Sequence, residues 1–294
     1  MKILILGGSG MIGHKMYQII AEKYPDTWIT LRKNLNDYSF NSLFDKKYVI
    51  DKTDLSNFNE LIIKLNQLQP DVIINASGIT IRRGAESVIS NTIVINSALP
   101  HLLNEWVVKY NKRLIHFSTD CVFSGSKGNY LEDDFKDAYD IYGRTKGLGE
   151  VTDSNNTITL RGSMIGRELE NKTELLEWYF SQTGKSITGY SNVIYAGITT
   201  IKMAEIVTIL IDKFPNLAGV YNVSSFPISK FELLSLFDSE FKITAGIISN
   251  DLIVSNKNLI SNKLFSIINF PIPNWNNMVI QLKDDCISNQ NLYN

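Results

Sequence analysis

The sequence predicts an α/β protein, a doubly wound parallel sheet with a smaller C-terminal lobe. Three observations carry that expectation. Short apolar runs without polar alternation recur through the first half, as in parallel strands covered on both faces. Helical stretches separate them, which implies right-handed βαβ units. A glycine-rich turn, Gly7-Gly8-Ser9-Gly10-Met11-Ile12-Gly13, lies directly between the first such run and the first helical stretch.

In chain order, Ile3 to Leu6 reads as a buried strand and Met11 to Lys23 as a helix with Ile12, Met16, Ile19 and Ile20 on one face. Trp28 to Leu31 and Tyr48 to Ile50 are short strands. Asp54 or Ser56 caps a helix running through Leu61, Ile62 and Leu65. Val72 to Asn75 is the fourth strand, after the turn pair Pro70-Asp71. A long helix from about Ser90 to Val108 precedes a fifth strand, Arg113 to Phe117. Beyond about residue 165 the pattern loosens, with helices near Glu174–Ser181, Thr200–Lys213 and Ser229–Asp238 and a strand at Val220–Val223. The tail from Ile247 is rich in Asn and Ser, yet Leu264, Phe265, Phe270 and Trp275 give it apolar surface to bury. It should therefore pack rather than stay disordered. The division expected is residues 1–165 for the sheet domain and 166–294 mainly for a substrate-binding lobe, with some segments returning to the sheet.

Composition narrows the function classes. The chain has 294 residues, 29 basic against 30 acidic side chains, and a net charge of −1. It lacks the basic excess that a nucleic-acid or membrane-surface partner would demand. Cys121 and Cys286 make neither a disulfide framework nor a cysteine metal cage. His14, His101 and His116 lack metal-ligand spacing, so no metal site is expected. The opening apolar run is too short for a signal-peptide core, and no run approaches the ~20 residues that span a bilayer. A cytoplasmic location follows as an expectation.

The glycine turn has the form of a dinucleotide cradle. A pyrophosphate needs close backbone approach and the positive end of a helix, and Gly7, Gly10 and Gly13 beside Met11 and Ile12 supply both. About 20 residues further on, an NAD site usually offers an acidic side chain to the ribose 2′-hydroxyl. Here Arg32 and Lys33 stand instead, which suits a 2′-phosphate and points to NADPH, with NADH as the alternative if both cations are merely solvated. Asp51 is placed to accept from the adenine amino group, with Lys52 beside it. Ala76, Ser77 and Gly78 provide small side chains where a cofactor crosses the sheet. Downstream, Tyr142 and Lys146 fall on one helix face at i, i+4 spacing. A nearby ammonium should lower a phenol's pKa and tune it for proton transfer. Ser118 and Thr119, at the end of the fifth strand, offer a hydroxyl that could polarise a carbonyl.

At these residues the chain resembles the extended short-chain dehydrogenase/reductases, most closely their dTDP-4-dehydrorhamnose reductase branch. The segments that carry the likeness are GGSGMIG (7–13), STDCVFSG (118–125), YGRTKGLGE (142–150), TITLRGSMIG (157–166) and NKLFSIINFPIPNW (262–275). The likeness implies a Rossmann domain with a smaller C-terminal substrate domain, and NADPH-dependent reduction of a nucleotide-linked 4-keto-6-deoxy sugar in deoxysugar or surface-polysaccharide biosynthesis. It implies Tyr142 as proton donor, Lys146 as its partner and Thr119 as the hydroxyl that orients the keto oxygen. It also implies that a loop from Ser163 to Ile165 closes over the nicotinamide. The partner expected is a nucleotide-diphosphate sugar, and an exposed apolar helix face would support a homodimer.

Two departures from the wider family bear on the reaction. Sugar 4,6-dehydratases carry an Asp-Glu pair after the Thr; here Asp120-Cys121 stands, without the general base for water loss. The related GDP-fucose synthases place a Cys at this offset and use it to epimerise carbons beside the ketone, but they also need a His that this chain lacks after His116. Cys121 is therefore either an epimerase thiol or a small packing residue. A non-catalytic NADP-binding subunit is the remaining rival. Trp178 can stack on a nucleotide base or join the core, Arg82 and Arg83 can bind a phosphate or face solvent, and Arg161 reads as structural.

Overall fold

The computed structural model describes residues 1–293. Its centre is a seven-stranded sheet in the spatial order Val49–Ile50, Thr27–Thr30, Ile3–Leu6, Val72–Asn75, Arg113–Ser118, Thr157–Arg161 and Gly219–Asn222. Every neighbouring pair is parallel. The central strands are fully buried, as continuous apolar runs require: Ile3, Ile5, Leu6, Ile73 and Ile74 expose none of their surface. Ile3, Ile5 and Ile74 face one core with the helix Met11–Lys23, while Leu4, Leu6 and Ile73 face the other with Leu61, Leu65, Leu103 and Trp106. The two-residue alternation of a strand thus serves two apolar layers.

The sheet order reverses between Ile3–Leu6 and Val72–Asn75, and at such a reversal the carboxyl ends of the strands open a crevice. The helix crossing over from the fourth strand is not uniform. Ile89–Ile93 and Leu99–Tyr110 are α-helical, but Val94–Ala98 between them is a π turn. That irregularity places Asn96, whose side chain accepts from the Ile79 N–H and donates to the Ile79 carbonyl, both at 2.9 Å. It also donates to Thr145 Oγ1 at 3.2 Å, tying the crevice floor to the helix Ile141–Leu148.

The second half does not fold as a separate body. Gly219–Asn222 extends the sheet beside Thr157–Arg161, and the helix Thr200–Lys213 packs on Met11–Lys23. The tail, polar in composition, is ordered by its apolar residues: Trp275 is buried and its indole N–H donates to the Phe226 carbonyl at 2.7 Å. Its helix Trp275–Ser288 returns to the first helix, where Asp285 pairs with buried Lys15 at 2.7 Å. Beyond it, the Tyr293 hydroxyl meets His14 Nε2 at 3.1 Å, and His14 Nδ1 is bonded to the Gly10 carbonyl at 2.9 Å. The short pair Ser186–Tyr190 with Gly246–Asn250 and the small sheet around Val193–Tyr195 form the remaining lobe.

Candidate active site

The crevice is a cavity of about 280 Å³. Gly10, Met11 and Ile12 line one end, Ala76, Ser77 and Gly78 the floor, and Thr119, Tyr142 and Lys146 the other end. The sequence-separated motifs therefore meet in one space at the topological switch.

At the glycine end the backbone does the shaping. Gly7 takes φ +81°, and a Cβ there would press on the Ser77 backbone at 3.2 Å. A Cβ on Gly13 would run into the Gly7 carbonyl. Gly10 differs: its φ is −74°, and an added Cβ would meet only the Gly7 carbonyl oxygen, at 3.3 Å. Neither backbone conformation nor a hard clash demands glycine there, which leaves the open cavity side as its reason. Gly10 caps the thirteen-residue helix Met11–Lys23 without a side-chain hydrogen bond, and no acidic residue stands in the first turn. Free N–H groups and the helix dipole thus face a space that the side chains leave empty, as a pyrophosphate requires. The floor is fixed from below: the Asn75 side chain accepts from Ser77 N–H and Oγ at 3.2 and 2.5 Å, while its amide meets His116 Nδ1 at 3.2 Å.

At the other end ionisable side chains do the shaping. A Cβ on Gly143 would strike the Cys121 carbonyl, so the helix Ile141–Leu148 can lie close on the turn Asp120–Val122. That approach brings the Tyr142 phenol to the Thr119 hydroxyl. Thr119 Oγ1 accepts from the Cys121 N–H and donates to the Asp120 carboxylate, each at 3.1 Å. Lys146 is buried, and its ammonium donates to the Phe117 carbonyl at 2.6 Å. Burial draws its pKa down to about 8, against a smaller opposing pull from Glu150. Burial also pushes the Tyr142 phenol well above its ordinary value, with Cys121 and Asp120 adding to it and Thr119 opposing. The expectation that Lys146 lowers the phenol is not met in this arrangement, because the ammonium is engaged with a backbone carbonyl and desolvation dominates.

Behind the trio, Glu150 accepts both forks of Arg161 at 2.8 and 2.7 Å and the Ser118 hydroxyl at 2.6 Å. Burial acts to raise the Glu150 carboxyl, but Arg161, Lys136 and Ser118 outweigh it and hold it below the usual range. Arg161 is thus structural, as its position suggested.

Not every candidate reaches the cavity. Ser163 lines it, but Ile165 is buried in the strand Met164–Ile165, and Met164 lines the cavity instead. Adjacent strand residues face opposite sides, so a shift of one position exchanges them. Trp178 packs against the main core and does not line the cavity. Asp120 is buried beneath Thr119. Cys121 lines the cavity, and burial, with Asp120 adding, pushes its thiol up to about 12. Arg32, Lys33, Asp51 and Lys52 form an adjoining corner, joined where the Lys52 N–H donates to the Lys33 carbonyl at 3.2 Å. Arg32 and Lys33 are exposed; the Asp51 carboxylate accepts from the Leu35 N–H at 3.1 Å, and Lys33 Nζ donates to Glu170 at 2.9 Å. Sequence reasoning missed Thr80 and Glu174, which line the cavity and bond each other at 3.2 Å. Arg82 lines it as well and donates to the Thr173 carbonyl at 2.7 Å, while the side chain of Arg83 lies outside the described residues. These partners are some 90 residues apart, and no local pattern announces them. Among the described residues no cluster could hold a metal ion, and no helix is long and apolar enough to cross a membrane.

A parallel sheet whose first crossover opens on a glycine cradle, with a tyrosine and a lysine one helical turn apart facing it, defines the short-chain dehydrogenase/reductase class in its extended form. Within that class the family described as the RmlD substrate binding domain matches residues 1–172, and the chain belongs to it, in the dTDP-4-dehydrorhamnose reductase-like branch. The dTDP-4-dehydrorhamnose reductase of Aggregatibacter actinomycetemcomitans is 28% identical over 174 residues, 58% of this chain and 53% of that protein. The chain thus aligns with about half the length of that relative. The spore coat polysaccharide biosynthesis protein SpsK of Bacillus subtilis is 24% identical over 84% of this chain and 82% of its own length. Among solved structures, a dTDP-4-dehydrorhamnose reductase of Bacillus anthracis in complex with NADP superposes with a TM-score of 0.76 at 19% identity, over 97% of this chain and 100% of that one. A dTDP-glucose 4,6-dehydratase of the same organism, in complex with NAD, superposes with a TM-score of 0.77 at 16% identity, over 100% and 98%. The fold is shared by reductase and dehydratase alike, so it does not separate them.

Proposed function

We propose that the chain is an NADPH-dependent reductase of a nucleotide-linked 4-keto-6-deoxy sugar, similar in activity to the dTDP-4-dehydrorhamnose reductases. The observation that carries the reading is the convergence of Thr119, Tyr142 and Lys146 on a cavity that begins at the glycine cradle. The relatives' names favour the same reading. The residues fit a dinucleotide: Gly10 leaves the first helix turn open, and Ala76 to Gly78 keep the floor low. When bound, the reduced cofactor supplies the hydride for the ketone carbon.

The chain's own residues supply the rest. The Thr119 hydroxyl orients the keto oxygen, and Tyr142 gives its phenolic proton to the alkoxide that develops there. Burial keeps that phenol protonated, which is the state a donor needs before the transfer. Lys146, charged below about pH 8, stabilises the phenolate left behind. Dehydration lacks support because Cys121 stands where a base is needed. Epimerisation lacks it because a thiol pushed up to about 12 carries almost no thiolate at neutral pH. On this reading residues 1–165 hold the cofactor, together with the strand and helices that return to them, and the rest of 166–294 selects a nucleotide-diphosphate sugar.

The test follows NADPH absorbance against a panel of nucleotide-linked 4-keto-6-deoxy sugars. Oxidation with at least one of them is expected. Silence across the panel, with dinucleotide binding intact, would leave a binding subunit and end the reductase reading.

A further inference from the structure

Residues 167–174 form a strap between the sheet and the lobe. Buried Glu168 accepts the N–H groups of Thr173 and Glu174 at 2.6 and 2.7 Å. Asn171 and Lys172 both take positive φ, +66° and +49°, which folds the strap back sharply. Lys172 Nζ anchors the turn on the Tyr293 carbonyl at 2.8 Å. The strap so held carries Glu170 to the end of the second strand, where its carboxylate sits 2.9 Å from Lys33 Nζ. Lys33 also lies 5.3 Å from the Tyr38 ring, and its main-chain N–H donates to the Tyr38 hydroxyl at 3.0 Å.

The corner at Lys33 is where a ribose 2′-phosphate would rest. Glu170 already takes from that ammonium the charged hydrogen bond that a phosphate would take, and two anions on one lysine repel each other. We infer that Glu170 is a specificity-determining residue: its carboxylate is an internal competitor for Lys33 that weakens the preference for a 2′-phosphorylated cofactor. This rests on the NADPH reading above. The bond to Glu170, and its charge, raise the pKa of Lys33, so the competitor faces a fully charged partner at neutral pH. Both side chains are partly solvated, so the competition is modest.

The experiment titrates 2′,5′-ADP and 5′-AMP into the wild type, Glu170→Gln, Lys33→Ala and the double variant by calorimetry, which needs no sugar substrate and no turnover. Glu170→Gln should tighten 2′,5′-ADP roughly three- to tenfold and leave 5′-AMP unchanged. The gain should vanish in the Lys33→Ala background and shrink as salt rises. Glu170→Ala, with no amide to rebond Lys33, should repeat it. Unchanged or weaker 2′,5′-ADP binding overturns the inference while leaving the cofactor reading in place. So does a loss of 5′-AMP binding, which would make Glu170 a ribose ligand instead. No preference for 2′,5′-ADP in any of the proteins overturns the phosphate corner itself, and the inference with it.

Discussion

At the glycine end of the cavity the protein offers backbone, and at the Tyr142 end it offers buried ionisable side chains. Gly7, Gly10 and Gly13 act by what they lack, and the helix they open contributes N–H groups that no protonation event can remove. Tyr142, Lys146 and Cys121 carry titratable protons, and burial moves all three away from their ordinary values. One end is therefore sensitive to an added carbon atom and the other to pH. Binding and chemistry should separate along that line.

The largest effect should come from Tyr142→Phe. It removes the hydroxyl proposed as donor with little packing volume, and should lower keto-sugar turnover about 10²- to 10⁴-fold. NADPH affinity, read by fluorescence titration, should stay near wild type; an equal loss of affinity would erase the separation.

Two alanine variants sharpen the other end. Gly13→Ala drives a Cβ into the Gly7 carbonyl, so the loop must move, costing about 1–3 kcal/mol in a thermal or urea melt as well as cofactor affinity. Gly10→Ala meets only one oxygen at 3.3 Å and should melt like the wild type while binding NADPH about tenfold more weakly. If both variants lose stability equally, Gly10 serves packing rather than a ligand.

The pH response should split in sign. Lys146 falls from 10.5 to about 8 in the folded apoprotein. Between those values the unfolded chain holds a proton that the folded one has released, so stability contributed by this group rises with pH from about 8 toward 10.5. Activity should do the reverse, falling as pH rises through about 8 and the ammonium is lost. Urea melts and initial rates over roughly pH 7–11, a range bracketing the lysine's two values, test both signs together. The smallest effect is Cys121→Ser, with reduction rates within about twofold and no solvent deuterium entering beside the ketone, because a protonated thiol is inert.

Much of the sheet was legible because buried parallel strands are written as short apolar words. Met11–Lys23, Val72–Asn75 and Thr200–Lys213 begin and end where periodicity places them. The trio and the cradle were legible for a related reason: each is a local pattern, and the topology of a doubly wound sheet brings strand ends together. What was not legible depends on distance or on phase. Glu174 bonds Thr80 across 94 residues, and Glu170 reaches Lys33 across 137, with no periodicity to foretell either. Met164 rather than Ile165 faces the cavity because a single residue decides the side of a strand. The direction of the Tyr142 shift escaped as well, since i, i+4 spacing reports proximity and says nothing of desolvation.

The meeting of Tyr293 with His14, 279 positions apart, has a consequence for synthesis. The glycine turn leaves the ribosome well before the groups that brace it from behind, Asp285 on Lys15 and Tyr293 on His14, which follow their partners by 270 and 279 residues. Contacts of such separation close late. A nascent chain therefore carries its glycine cradle unbraced until those distant residues have been made. The helix behind that cradle settles only when its distant partners have been spoken into place.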